Sequence, residues 1–120
     1  MKKIVVIEDD PDVTLVLQEL FPAPEYEGHY FTSGTKAIPR IEEILPDLVI
    51  MDLMMPSMSG FEICQQLKRS GKTRNIPLVA ITGYDSRDNR LKIFAAGIDD
   101  YLPKPFDVKV LMKKIKALIS

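Results

Sequence analysis

The residues of this sequence best equipped for chemistry are the acids Glu8, Asp9, Asp10 and Asp52, the hydroxyl of Thr82 and the ammonium of Lys104. Taken singly, each has an ordinary use. Glu8-Asp9-Asp10 precedes Pro11 and could cap a helix and complement its dipole. Asp52 and Thr82 could serve turns, and a lone lysine is usually solvated. As a group they point elsewhere. If Asp9 and Asp52 approach within about 4 Å, their repulsion is about 4 kcal/mol at an effective dielectric of about 20, a large cost against domain stability. A cation between them removes that cost. Mg²⁺ suits the gap, being a hard octahedral ion that takes one or two carboxylates, keeps waters and accepts phosphate oxygens. Calcium would want more oxygen ligands. Zinc would want His or Cys, and the one histidine, His29, is far off in sequence and reads as a surface residue. A carboxylate beside a metal can attack a phosphoryl group and form an acyl phosphate. Such transfer needs a cation for the transferring oxygens, a fixed donor and a second positive group. Mg²⁺, Thr82 and Lys104 could fill those roles.

The elements that must position these groups are short apolar runs and helical stripes. Ile4 to Ile7, Leu48 to Met51, Leu78 to Ile81 and the weaker Asp100 to Leu102 read as strands buried on both faces. A fifth strand is expected near His29 to Phe31. Helical spacing falls between them: Val13, Val16, Leu17 and Leu20; Leu91, Phe94, Ala95 and Ile98; and Val108, Leu111, Met112, Ile115, Leu118 and Ile119. Regular alternation of strand and helix predicts a doubly wound α/β domain with a parallel sheet and right-handed crossovers. Ligands in such sheets bind beyond the carboxyl ends of the strands, where the candidate residues lie. Phe21-Pro22-Ala23-Pro24 should end the first helix early. Pro39 should kink the second or delay its start.

With 120 residues, 46% of them hydrophobic, the chain is the size of a single domain over 1–120. Lys and Arg number 16 against 17 Asp and Glu, so the net charge of -1 offers no field for nucleic acid or anionic lipid. No apolar run reaches the roughly 20 residues that span a bilayer. The single cysteine, Cys64, excludes an internal disulfide and suits a reducing compartment, so a cytoplasmic location is expected. Cys64 shares a helical stripe with Phe61 and Leu67 and reads as a buried structural thiol. Met51, Met55 and Met58 read as core and loop packing.

Several stretches resemble the receiver domains of two-component response regulators. Ile4-Val5-Val6-Ile7-Glu8-Asp9-Asp10 is similar to the family's first strand and acidic pair. Asp47-Leu48-Val49-Ile50-Met51-Asp52-Leu53-Met54-Met55-Pro56, followed by Ser59-Gly60, is similar to its phosphoacceptor segment. Ala80-Ile81-Thr82-Gly83 and Ala95 to Phe106 are similar to its two remaining signatures, so the resemblance covers the whole chain. It implies a flavodoxin-like (βα)5 three-layer sandwich with strand order 2-1-3-4-5. It implies that Asp52 is phosphorylated by a sensor histidine kinase or a histidine phosphotransfer protein. Asp9 and Asp52 would bind Mg²⁺ directly, Glu8 through a water, and Met54 through its backbone carbonyl; Asp10 falls outside the pair and starts the helix. Lys104-Pro105 would be cis. Thr82 and Tyr101 would act as a switch that alters the surface of the fourth helix, fifth strand and fifth helix for an output domain or effector protein.

Gly83 stands where alanine is commoner in that family and keeps the small size needed there. Met54 and Tyr84 would flank the site and shield an acyl phosphate from water. An aspartyl phosphatase is disfavoured, because Asp52 is followed by Leu53-Met54-Met55-Pro56 rather than by a second acid and a threonine at its usual spacing. A binding module without phosphorylation is disfavoured by the full set Glu8, Asp9, Asp52, Thr82 and Lys104. A nucleotide-binding domain is disfavoured because acids and proline, not a glycine-rich loop, follow the first strand.

Overall fold

A computed structural model describes residues 1–119. The chain alternates strictly: β1 (Lys2–Ile7), α1 (Pro11–Leu20), β2 (Tyr26–Phe31), α2 (Gly34–Ile44), β3 (Leu48–Asp52), α3 (Gly60–Arg69), β4 (Leu78–Thr82), α4 (Arg87–Ala95), β5 (Asp100–Pro103) and α5 (Val108–Ile119). The strands form one parallel sheet in the order β2-β1-β3-β4-β5. This is the flavodoxin-like arrangement that the resemblance implies.

The period of two along each strand divides the core between two faces. Val5, Ile7, Val49, Met51, Leu78 and Ala80 face α2, α3 and α4, where Ile41, Ile63, Leu67 and Ile93 meet them. Ile4, Val6, Leu48, Ile50, Val79 and Ile81 face α1 and α5, where Leu17, Leu111 and Ile115 meet them. Every residue of β3 and β4 is buried, which accounts for their unbroken apolar runs. Asp52 and Thr82 are the last residues of those strands rather than the first beyond them, so the ladder itself fixes their backbones. β2 begins at Tyr26, three residues before the expected start at His29.

α1 ends at Leu20 with Phe21 as its cap, as the following prolines require. Ser33 caps α2, its hydroxyl accepting from the Lys36 N–H at 3.3 Å. The helix runs from Gly34 through Pro39, so its start is not delayed as expected. Pro39 and Thr35, whose carbonyl loses its helical donor, are both exposed, and water can satisfy that carbonyl.

The stripe expected on α4 is corrected. Leu91, Phe94 and Ala95 face outward, while Ile93, and Ile98 beyond the helix, enter the core. The apolar residues of this segment fit two helical phases. Ile93 and Ile98 set the one adopted, and Gly97, at φ +91°, turns the chain into β5. On α1 Val16 is exposed, and on α5 Val108 is exposed, so both stripes are narrower than their spacing suggests. His29 is half-buried on β2 rather than free on the surface, and its Nε2 lies 2.7 Å from Glu27 Oε2. Cys64 is buried as expected, its thiol donating to the Ala96 carbonyl at 3.3 Å. Among the described residues no helix is long and apolar enough to cross a membrane.

Candidate functional site

The candidate residues meet at the carboxyl edge of the sheet because parallel strands of matched register end there together. Glu8 follows β1, and its N–H donates to the Phe31 carbonyl at 2.9 Å, extending the β1–β2 ladder by one bond. Asp10 is the N-cap of α1, accepting from the Asp12 N–H at 2.9 Å with Pro11 next in the helix. Asp52 ends β3 opposite Ile81, one residue before Thr82. Lys104 follows β5 and donates its N–H to the Thr82 carbonyl at 2.7 Å. The Lys104-Pro105 bond is cis, as the resemblance implies, and so is Ala23-Pro24.

Oxygens of Glu8, Asp9 and Asp52 lie within 4.8 Å of one another. Glu8 is 2% exposed and Asp52 6%, whereas Asp9 is open to solvent. Lys104 Nζ bridges the buried pair, 2.6 Å from Glu8 Oε1 and 3.2 Å from Asp52 Oδ2. Among the described residues, the second oxygen of Glu8, Oε2, is buried with no hydrogen-bond partner. Burial pushes the Glu8 carboxyl up to about 7, helped by the neighbouring Asp52 and opposed by Lys104. Burial alone would lower the Lys104 ammonium, but its hydrogen bond to Glu8 and the charges of Glu8 and Asp52 outweigh that and hold it above its ordinary value. One ammonium cannot neutralise this acid cluster. An orphaned carboxylate oxygen among all-oxygen donors fits a hard divalent cation such as Mg²⁺, which Glu8, Asp9 and Asp52 could hold.

The turn after Asp52 is tightly determined. Met54 N–H donates to Asp52 Oδ1 at 3.1 Å, and Gly60 N–H to the Leu53 carbonyl at 2.9 Å. A Cβ at Gly60 would lie 3.0 Å from Leu53 Cα and 3.2 Å from the Asp52 carbonyl, so only glycine lets α3 start this close to the site. At Gly83 a Cβ would meet nothing within 4 Å, and alanine would fit there.

The side chains of Thr82 and Tyr101 bond to partners outside the acid cluster. The Thr82 hydroxyl accepts from the Tyr84 N–H at 3.0 Å and donates to the Tyr84 carbonyl at 3.2 Å. Tyr101 donates its phenol to Asp85 Oδ1 at 3.3 Å and stands edge-on to Phe94, with ring centroids 6.0 Å apart. Asp85 is not distinguished by the sequence, where it is one polar residue in a loop. Met54 and Tyr84, two residues beyond Asp52 and Thr82, are 64% and 66% exposed. A groove of about 440 Å³ adjoins the acids, lined by Asp10, Asp12, Val13, Val16, Lys104, Pro105 and Phe106. A second groove, about 540 Å³ beside α3 and Ala96, lacks the acid cluster.

The sequence profile of the response regulator receiver domain matches residues 4–116, and the chain belongs to that family. It is 33% identical to the DNA-binding dual master transcriptional regulator RpaA of Synechocystis, over 99% of this chain and 49% of that protein. It is 34% identical to the phosphate regulon transcriptional regulatory protein PhoB of Rhizobium meliloti, over 99% of this chain and 52% of that one. The chain thus spans about half the length of these curated relatives. Among solved structures, a putative response regulator from Chloroflexus aurantiacus superposes with a TM-score of 0.91 at 27% identity, covering 98% of this chain and 97% of that one. The receiver domain of sensor histidine kinase PA1611 from Pseudomonas aeruginosa, crystallised with a magnesium ion coordinated in its active site cleft, shares the fold at TM-score 0.88 and 24% identity, covering 98% of this chain and 97% of that one. The chain is therefore a signalling domain of two-component systems.

Proposed function

We propose that this chain is a single receiver unit acting in the cytoplasm, which takes a phosphoryl group on Asp52 from a phosphohistidine and passes the change to a partner through α4, β5 and α5. The observation that carries this reading is the over-charged pocket: three acids, Glu8, Asp9 and Asp52, cluster where one ammonium pairs with Glu8 and Asp52, and among the described residues Glu8 Oε2 is left unpartnered. Asp9 and Asp52 would hold Mg²⁺ directly, with Glu8 through a water and Met54 through its carbonyl. When bound, the ion neutralises charge on the transferring oxygens. An Asp52 oxygen forms the new O–P bond as the donor's P–N bond breaks, and the imidazole leaves with the electron pair and takes up a proton. Lys104 already lies against Asp52 and supplies positive charge on that side. Thr82 would leave the Tyr84 backbone for the phosphoryl oxygens, and Tyr101 would turn inward behind it. The groove beside α1 and Pro105 leaves room for the donor, a sensor histidine kinase or histidine phosphotransfer protein.

This is a phosphoacceptor that assists its own labelling and hydrolysis rather than a turnover enzyme. The exposed Met54 and Tyr84 would hinder the attacking water and lengthen the life of the acyl phosphate. With a net charge of -1, the chain itself would not contact nucleic acid; an output domain or effector would carry the response. The reading is tested with labelled acetyl phosphate and a panel of kinases. Wild type should take label in Mg²⁺ and lose it in EDTA, Asp52→Asn should take none, and Met54→Asn with Tyr84→Glu should hydrolyse severalfold faster. A wild type that takes no label from any donor overturns the assignment of Asp52.

A further inference from the structure

Asp85 takes no part in the pocket, yet it is the group that meets the phenol of Tyr101. Its Oδ1 accepts from Tyr101 at 3.3 Å and from Arg90 Nη1 at 3.0 Å, so one carboxylate oxygen collects a donor from β5 and another from α4. Phe94, one helical turn beyond Arg90, covers the edge of the same tyrosine ring at an interplanar angle of 75°. The guanidinium of Arg90 is raised above its ordinary value by the hydrogen bond to Asp85 first, with Tyr101 adding to it, which places the three side chains in one cluster. The residue before Asp85 is Tyr84, whose backbone N–H and carbonyl hold the Thr82 hydroxyl. Asn89 Nδ2 donates to that same carbonyl at 2.7 Å and ties it to α4.

We infer that Asp85 is a positioning residue that holds Tyr101 outward in the resting protein, with Arg90 fixing the carboxylate and Phe94 closing the ring's edge. The inference rests on the reading above, in which Tyr101 turns inward once Asp52 carries a phosphoryl group. Because the Asp85 contacts are exposed and the phenol bond is long, the catch is weak and biases the equilibrium by a small factor. A weak catch suits this place, since a phosphoryl at Asp52 must be able to overcome it.

The test uses the full chain, with Tyr101 orientation read from ring ¹³C resonances in the unphosphorylated protein and labelling rates read with acetyl phosphate and Mg²⁺. Asp85→Ala should raise the inward population of Tyr101 and the labelling rate about two- to fivefold. Arg90→Ala should do the same to a smaller degree. Asp85→Asn keeps an acceptor oxygen and should stay close to wild type. In a Tyr101→Phe background, which has no phenol to hold, Asp85→Ala should lose its effect on labelling. Unchanged Tyr101 resonances in Asp85→Ala, or an undiminished rate effect in the Tyr101→Phe background, would overturn the catch. If the wild type takes no label, the assignment of Asp52 fails, and the resonances of the unphosphorylated variants decide the catch without it.

Discussion

The acid pocket and α4 lie one short loop apart and are built in opposite ways. In the pocket, Asp52 and Thr82 end their strands, Asp52 paired with Ile81 of β4 and Thr82 with Pro103 of β5, and Glu8 and Lys104 are joined across the sheet edge by a 2.6 Å ion pair. The cost there is electrostatic: buried acids without enough positive charge. α4 carries the opposite imbalance. It inserts only Ile93 into the core, while Leu91 and Phe94, at 60% and 52% exposure, face water. Local stability is lowest where buried apolar contact is thinnest, so α4 is held less firmly than the pocket's strands.

The largest effect that can sharpen this comparison is at Ile93. Truncation to Ala should cost about 2–5 kcal/mol, the range for a fully buried isoleucine, because no other α4 side chain compensates. Hydrogen exchange should then locate the loss, with α4 amides exposed far more than those of β3 and β4. A uniform loss across the sheet would mean that α4 is no weaker than its surroundings.

A smaller effect comes from the pocket. The Glu8 carboxyl rises from 4.5 to about 7 on folding, so between those values the folded protein holds a proton that the unfolded chain lacks. The associated stability is fully present below pH 4.5 and is lost as the pH rises through about 7. The loss should be of order 1–3 kcal/mol. Urea midpoints of Mg²⁺-free wild type should therefore fall, relative to Glu8→Gln, between pH 5 and pH 8 on the order set by this linkage. Excess Mg²⁺ should restore wild type more at the upper pH than at the lower. Parallel pH profiles for the two proteins would show that burial of Glu8 carries no such cost.

Much of this was legible in the sequence, and the exceptions have a common cause. The buried strands announced themselves because a strand covered on both faces must be apolar throughout, as Leu48 to Met51 and Leu78 to Ile81 are. Glu8, Asp9, Asp52 and Lys104 were legible as a group because each lies at or just past the end of an apolar run, and a parallel sheet aligns its carboxyl ends. The phase of α4 was not, since Leu91, Phe94 and Ala95 satisfy helical spacing as well as Ile93 does. Burial chose between the two phases, and burial is a tertiary property. The role of Asp85 was hidden for a related reason: its partners, Arg90 and Tyr101, are set by how the loop meets β5, which no local pattern encodes.

The smallest expected effect is the most discriminating for α4. Leu91→Ala exchanges two good helix formers at a position 60% exposed, so stability should change by no more than about 0.5 kcal/mol. The spacing of Leu91 with Phe94 and Ile98 predicts instead a core position, where the same truncation would cost about 2–5 kcal/mol. Urea midpoints separate these values easily. A near-zero result at Leu91 beside a large one at Ile93 would fix the helical phase from energetics alone. It would also leave Leu91 and Phe94 as apolar area turned outward on a helix that buries only Ile93, an area that stability does not need.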